Sequence, residues 1–344
     1  MPKRLALAFA LFTALLPAQT FTLPSTAEAD MKALISPVSK MFADSFALSV
    51  PFGAAAGNYA PLNYHFLIPL LDIYLTAPAV ISFGKIDLGV LDTLTIPGAG
   101  ANLKSALGPF SAFPYFPTAM LAVTGKARLQ LPIPIVKDIE LDFKFGLVPQ
   151  FIKTALAGAL ASVPGLGLNY DATLWGIGAR YRLVNLKVFT VGVGAMFNHL
   201  DYTFNLNFDA PRSTIGTYTF PGFGSTTLEQ QITLNLTNQF KSSVLSFDVQ
   251  AGLNLAIFQL YAGVGANFDL SGPYQSGYLI TGTTYTNGIA TAAPVRIGGT
   301  VNATSTAVVP KFALGFRLSI LDVQAESSFD LKALGARAGI AVSF

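Results

Sequence analysis

The chain has 344 residues, of which 52% are hydrophobic and only 11% charged, with 21 Lys and Arg against 18 Asp and Glu for a formal net charge of +3. Soluble domains carry about 25% charged residues, and so near a balance of signs gives no footing for nucleic acid or another polyanion. The chain has no cysteine, which excludes disulfides, thiolate metal sites and attachment of lipid at a mature N-terminal Cys.

The chain opens with Met1-Pro-Lys3-Arg4 and a run of apolar residues from Leu5 to Leu16. Two positive charges before about a dozen apolar residues form a secretory signal, too short to cross a bilayer as a helix, which needs about 20 residues. Cleavage fits after Ala18 or after Ala29 in the small-x-small sequence Ala27-Glu28-Ala29. With residues 1–29 taken as the signal peptide, 19 basic and 17 acidic residues remain, a net charge of +2.

Residues 30–44 read as a helical segment. Met31, Leu34, Ile35, Val38, Met41 and Phe42 follow helical spacing, and Ser36-Pro37 suits an N-cap followed by Pro at the first helical position. Such a segment either plugs a lumen or remains as a periplasmic tail.

From residue 45 to 344 the pattern is that of strands with two different faces. In Asp138–Leu147, Ile139, Leu141, Phe143, Phe145 and Leu147 face one way, and Asp138, Glu140, Asp142, Lys144 and Gly146 the other. The preceding strand turns Leu121, Val123, Ala127, Leu129 and Leu131 outward, with Thr124, Lys126, Arg128 and Gln130 inward. The same alternation returns in Lys311–Ile320, Asp322–Leu331 and Ala333–Phe344. Less sharp strands lie near Phe46–Pro51, Leu67–Ile81, Ile86–Thr95, Leu168–Leu183, Val188–Leu206, Leu228–Asn254 and Gln259–Phe268. Apolar-out and polar-in strands of about ten residues are the pattern of transmembrane β-barrels. The expected fold is therefore an all-β, antiparallel, up-and-down transmembrane barrel of about 12 strands. Fourteen is the alternative, reached if 277–285 and 296–305 join the wall. Short links fall on one side and long ones on the other only if Leu228–Asn254 is a single long strand projecting beyond the membrane.

The last strand carries a further signal. Arg337, Gly339, Val342 and Phe344 resemble the C-terminal recognition signal of bacterial outer-membrane barrels, which implies outer-membrane lipid and the barrel-assembly machinery as partners. The chain also resembles an uncharacterised family of outer-membrane proteins with an N-terminal helical lead and paired strands of the type seen from about 117 to 270. By architecture it is similar to the long-chain fatty-acid transporter group, whose members are expected to have 14 strands and a longer N-terminal hatch. That likeness implies passive diffusion of a small hydrophobic compound, such as a fatty acid, through a plugged barrel, and carries over no binding residue.

Two groups of residues are candidates for function. The inward charges Lys126, Arg128, Glu140, Asp142, Arg317, Asp322, Glu326 and Arg337 set opposite signs on neighbouring strands. They read as a selectivity ring or as cross-strand pairs that hold a filled lumen together. The outer loops carry Phe110, Phe113, Tyr115 and Phe116 in 96–118, and Phe151, Ile152, Leu156 and Leu160 at helical spacing in 149–167. These form a cap, lie on lipid, or line a pocket for an apolar molecule.

An enzyme is not expected. Of the two histidines, His199 has Asp201 nearby in sequence, but no motif singles out a serine, and no His pair has metal-binding spacing. No cofactor pattern is present. The reading is a channel or transporter of the outer membrane, with a sealed structural or surface-contact barrel as the alternative. Cargo and oligomeric state stay open.

Overall fold

Lipid on one side and a filled lumen on the other impose a period of two on every strand, and the computed structural model follows it. It describes residues 25–55, 58, 73–85, 87, 89, 92, 115–130, 139–151, 153–154, 158, 166–186, 188–209, 212–220, 224–255, 258–286, 289–290, 295–304 and 306–343. Helix α1 spans Ser25–Ala55. The strands are β1 (Ile73–Lys85), β2 (Tyr115–Gln130), β3 (Ile139–Leu147), β4 (Leu166–Asn185), β5 (Phe189–Asp209), β6 (Ser213–Phe220), β7 (Gly224–Leu255), β8 (Phe258–Asp269), β9 (Tyr274–Thr286), β10 (Ile289–Ala290), β11 (Val295–Ala303), β12 (Val308–Leu318), β13 (Leu321–Ser328) and β14 (Ala333–Ser343).

All fourteen belong to one antiparallel sheet. Pairing runs β1-β2-β3-β4-β5-β7-β8-β12-β13-β14 and returns from β14 to β1, so ten strands close a barrel. Closure leaves no ring edge unpaired, which lipid requires because it offers backbone groups no hydrogen bonds. The other four strands stand beyond the ring on the upper half of β7. There β9 pairs residues 228–239, β6 pairs 224–230, and β10 and β11 pair β9. As expected, β7 is one long strand, of 32 residues. Among the described residues no helix is long and apolar enough to cross a membrane; strands make the crossing.

The start of β1, the end of β14 and the short links at 186–188, 256–257 and 319–320 share one end of the barrel. Short turns mark the periplasmic side, so the projecting strands and the wide connections lie outside. The link at 329–332, between β13 and β14, is a tight turn on the outer side. Phe143, Phe145, Trp175, Ile177, Phe247, Val249 and Leu314 are exposed on the outer wall. On β5 the apolar outward set runs from Phe189 to Phe197. At about 3.4 Å per residue and a tilt of about 40°, that spans roughly 21 Å, close to the ~25 Å lipid-facing band of such barrels.

Several local expectations are corrected. Residues 46–51 lie in the C-terminal third of α1 rather than in a strand. Their alternation is too short to distinguish the two periods, and Ser49 Oγ donates to the Ser45 carbonyl four residues back (2.9 Å) in helical fashion. The helix runs from 25 to 55, so it crosses the expected 44/45 boundary, and Pro37 lies inside it rather than at its start. No strand forms at 86–95 among the described residues, where Gly89 and Asp92 sit in short 3-10 turns. The alternative strands expected near 277–285 and 296–305 are β9 and β11, but they extend the sheet above the ring rather than widening it.

Candidate functional site: a plugged mouth above an ion-paired lumen

The direction of α1 is fixed by its contacts. Ser45 Oγ donates to the carbonyl of Gly84 (2.9 Å), at the outer end of β1, where Gly84 pairs with Ala333. Lower down, Lys144 Nζ donates to the carbonyl of Ala54 (2.9 Å). Lower still, Arg180 Nη2 donates to the carbonyl of Asn58 (3.2 Å). The helix therefore enters the mouth from outside and its C-terminal end points down the lumen. Lys144 sits at the helix C-terminus, where the orphan carbonyls and the dipole favour a cation.

Gly84 is the point of closest approach. A Cβ there would lie 2.1 Å from the Ser45 carbonyl oxygen, so only glycine lets helix and strand meet this way. Met41, Ala43, Phe46, Ala47, Val50, Phe52, Ala54 and Ala55 are all buried, as are Ser45 and Ser49. Lys40 and Asp44 pair with each other at 2.7 Å on the exposed side.

Phe46 is the anchor of the helix. Its ring lies 6.0 Å from Tyr202, 5.5 Å from Phe204 and 5.5 Å from Phe240. Tyr170 stands edge-on to Tyr202 at 5.6 Å, and Tyr274 edge-on to Phe240 at 5.3 Å. These rings come from inward positions of β4, β5 and β7 above the lipid band, closed over by β9. They form an aromatic chamber at the outer mouth, and α1 occupies it. Two hydroxyls in it differ. Tyr274 donates to Asp269 Oδ2 (3.0 Å) and meets Ser242 Oγ at 3.1 Å. The buried hydroxyl of Tyr202 has no hydrogen-bond partner among the described residues. Burial, and then the neighbouring Tyr170, push its pKa well up, so it stands there as a neutral donor.

Below the chamber the lumen is filled by charge pairs. Arg180 Nη1 donates to Asp248 Oδ1 (2.6 Å) and Arg182 Nε to Glu140 Oε1 (2.6 Å). Lys311 meets Glu326 at 3.3 Å, and Glu326 also accepts from Gln324. Arg337 Nη2 donates to Asp322 Oδ2 (2.6 Å), whose other oxygen accepts from the Tyr261 hydroxyl (2.6 Å). Tyr261 lies on β8 and Asp322 on β13, with β12 between them. The Tyr261 ring crosses β12 over Gly315, where a Cβ would meet it at 2.3 Å. All these charged groups are buried in the lumen. Pairing of this kind stabilises only when hydrogen bonds satisfy both partners.

Of the expected lumen charges, Glu140, Asp142, Arg317, Asp322, Glu326 and Arg337 are buried on the inner face. Arg317 lies opposite Asp322 in the β12–β13 register, and its Nε donates to the carbonyl of Ser319 (2.8 Å) in the turn between them. Lys126 and Arg128 lie on β2 with backbones opposite Lys144 and Asp142, and their side chains fall outside those described. Glu140 bonds Arg182 of β4 on its other side. The sequence reading missed Arg180, Arg182, Asp248 and Tyr261 as members of this network, although inward alternation on β4, β7 and β8 places all four.

Tyr115 and Phe116 begin β2 rather than lying in a loop, and only their backbones are described. Phe151 is 68% exposed in a helical turn. Phe110, Phe113, Ile152, Leu156 and Leu160 fall outside the described residues, as does Phe344. Val342 is described by its backbone alone, while Arg337 and Gly339 sit on β14 opposite Val80 and Pro78.

No protein-family model matches the sequence, and no curated protein does. Solved structures similar to it include the outer membrane protease OmpT of Escherichia coli, at 9% identity, covering 82% of this chain and 99% of that one with a TM-score of 0.24. The transport unit of the autotransporter AIDA-I of Escherichia coli is 10% identical, covering 90% and 99% with a TM-score of 0.27. The toluene transporter TbuX of Ralstonia pickettii is 9% identical, covering 80% and 90% with a TM-score of 0.23. All three are outer-membrane barrels. The assignment of fold rests on the strand pairing itself.

Proposed function

We propose that the protein is a transporter of the bacterial outer membrane, whose lumen is closed at rest by α1 and which passes small hydrophobic compounds, fatty acids among them, by passive diffusion. The observation that carries this reading is the aromatic chamber, in which Phe46 holds a place that an apolar molecule fits equally well. Concave apolar surfaces with few polar groups are the usual form of a small-molecule site. The unpartnered Tyr202 hydroxyl supports a cargo with an acceptor at one end, such as a carboxylate. Outer-membrane lipid and the assembly machinery are the remaining partners of the proposal. The sealed structural barrel is the second reading, and the filled, ion-paired lower lumen favours it.

Binding of a fluorescent fatty acid to the refolded protein separates the two. A transporter binds the probe, and binds it more tightly when α1 is weakened by Phe46→Ala, because helix and cargo compete for one chamber. Equal, negligible binding by both forms contradicts the proposal.

A further inference from the structure

His199, whose neighbourhood in sequence offers no serine, has one in space. Trp175, His199 and Ser243 lie in one row across β4, β5 and β7, paired in that order through the backbone register. His199 Nδ1 stands 2.9 Å from Ser243 Oγ, and His199 Nε2 stands 3.6 Å from Asp201 Oδ2. The Trp175 ring flanks the imidazole at 5.6 Å. With the proton on Nε2, facing Asp201, Nδ1 is left to accept the Ser243 proton. That gives the serine a base within hydrogen-bond reach, and sets a carboxylate 3.6 Å from the far nitrogen of that base, just beyond hydrogen-bond distance, where it can come to hold the tautomer. Such contacts are often loose without substrate and tighten in the complex.

The place of this cluster is as informative as its geometry. All four residues point outward, away from the lumen, and they mark the line where the outer wall changes character. Toward the membrane centre the outward positions are Ile177, Phe197, Leu245 and Phe247; away from it they are Thr173, Asp201 and Lys241. The acyl ester bonds of a membrane lipid lie between its headgroup and its hydrocarbon, at that same line. Asp201 and Lys241 (3.6 Å apart) are both open on the headgroup side.

A donor for a developing oxyanion is present beside the serine. β7 and β8 pair only as far as Val244 and Asp269, so the Ser243 N–H is free of the ladder on that side and donates instead to Ser271 Oγ (2.8 Å). A substrate oxygen can replace that hydroxyl. A backbone donor of this kind acts where charge develops in the transition state.

We infer that Ser243, His199 and Asp201 form a hydrolytic site for acyl esters of membrane lipids on the outer wall of the barrel. Ser243 Oγ attacks the ester carbonyl as its proton passes to His199 Nδ1. The bond to the alcohol breaks, and His199 returns the proton to the leaving oxygen. Water then attacks the acyl-serine, giving up a proton through His199 to Ser243, and the products are a fatty acid and an alcohol. Asp201 positions His199 and does not touch the lipid. The site is separate from the lumen, so it stands or falls independently of transport.

The test uses the full chain refolded into vesicles of phosphatidylethanolamine and, in a second arm, vesicles containing lipopolysaccharide, with fatty acid release as the readout. Wild type is expected to release fatty acid in at least one arm, and the arm that responds identifies the lipid. Ser243→Ala and His199→Ala are each expected to lower the rate by at least about a thousandfold, with folding of each variant checked by its compact, heat-sensitive migration in gels. A fluorophosphonate probe is expected to label wild type and not Ser243→Ala, with the inward-facing Ser242 and Ser246 unlabelled in both. Release retained by Ser243→Ala, or neither release nor labelling in wild type, overturns the assignment.

Discussion

Replacing Phe46 by Ala should loosen α1 without loosening the barrel. The Phe46 side chain is 2% exposed, with three rings of the chamber within 6.0 Å. Truncating a buried Phe to Ala costs about 3–5 kcal/mol, of which aromatic pairs contribute about 0.5–1.5 kcal/mol each. These terms overlap, so the lower end, about 3 kcal/mol, is the fair figure for the loss of helix seating. At about 1.4 kcal/mol per tenfold change in an equilibrium, the unseated fraction should rise roughly a hundredfold. Hydrogen exchange on the refolded protein reads this directly. Amides of α1 between Ser45 and Ala55 should lose roughly two decades of protection, while those of β12, β13 and β14 keep theirs. Unchanged helix protection would refute the anchor role of Phe46. A uniform loss across helix and strands would refute the view that the helix opens as a separate unit.

Three further outcomes follow from the same geometry. Gly84→Ala puts a methyl group 2.1 Å from the Ser45 carbonyl, so the helix must leave its seat or β1 must bend; loss of protection in α1 on the scale of Phe46→Ala, or more, is expected by the same exchange measurement. Asp322→Ala takes the paired carboxylate from Arg337 and removes the acceptor of the Tyr261 hydroxyl. Removing one member of a buried pair costs about 3–5 kcal/mol, and the double change Asp322→Ala with Arg337→Met should recover much of it in a thermal unfolding series. Asp330 lies in the outer turn, where burial alone raises its pKa. Hydrogen bonds from the Ser328 hydroxyl (2.7 Å) and the Lys332 N–H (3.1 Å), with the Lys332 ammonium, outweigh burial and bring it below the usual carboxylate range. A folded pKa below the unfolded value of about 3.9 means that the stabilisation is complete above that value. It is lost as pH falls through the folded pKa. Protection of the Lys332 and Ala333 amides, taken against the intrinsic exchange rate at each pH, should therefore fall only below about pH 4.

The wall of the barrel was plain in the sequence wherever lipid and lumen impose opposite demands. β3, β12 and β14 alternate residue by residue, and the outer set of β3, from Phe143 to Leu147, is the set left open to lipid. α1 was legible only in part, because the barrel surrounds it. Residues 41–55 are buried on nearly every side, so no polar face remains to mark a helical period, and two prolines lie within its span. The lumen network was legible as a face but not as a set of partners. Alternation says that Glu140 points inward; only register and reach decide that it meets Arg182 of β4. The same holds for His199 and Ser243, which are 44 residues apart and become neighbours only because β5 pairs with β7.

Single-channel conductance of the refolded protein in a planar bilayer, with and without residues 25–55, reads closure by α1 directly. A silent intact barrel and discrete, stable conductance steps after removal of the helix are expected. Steps of equal size in both forms would contradict closure by α1, and silence in both would contradict a pathway through the lumen.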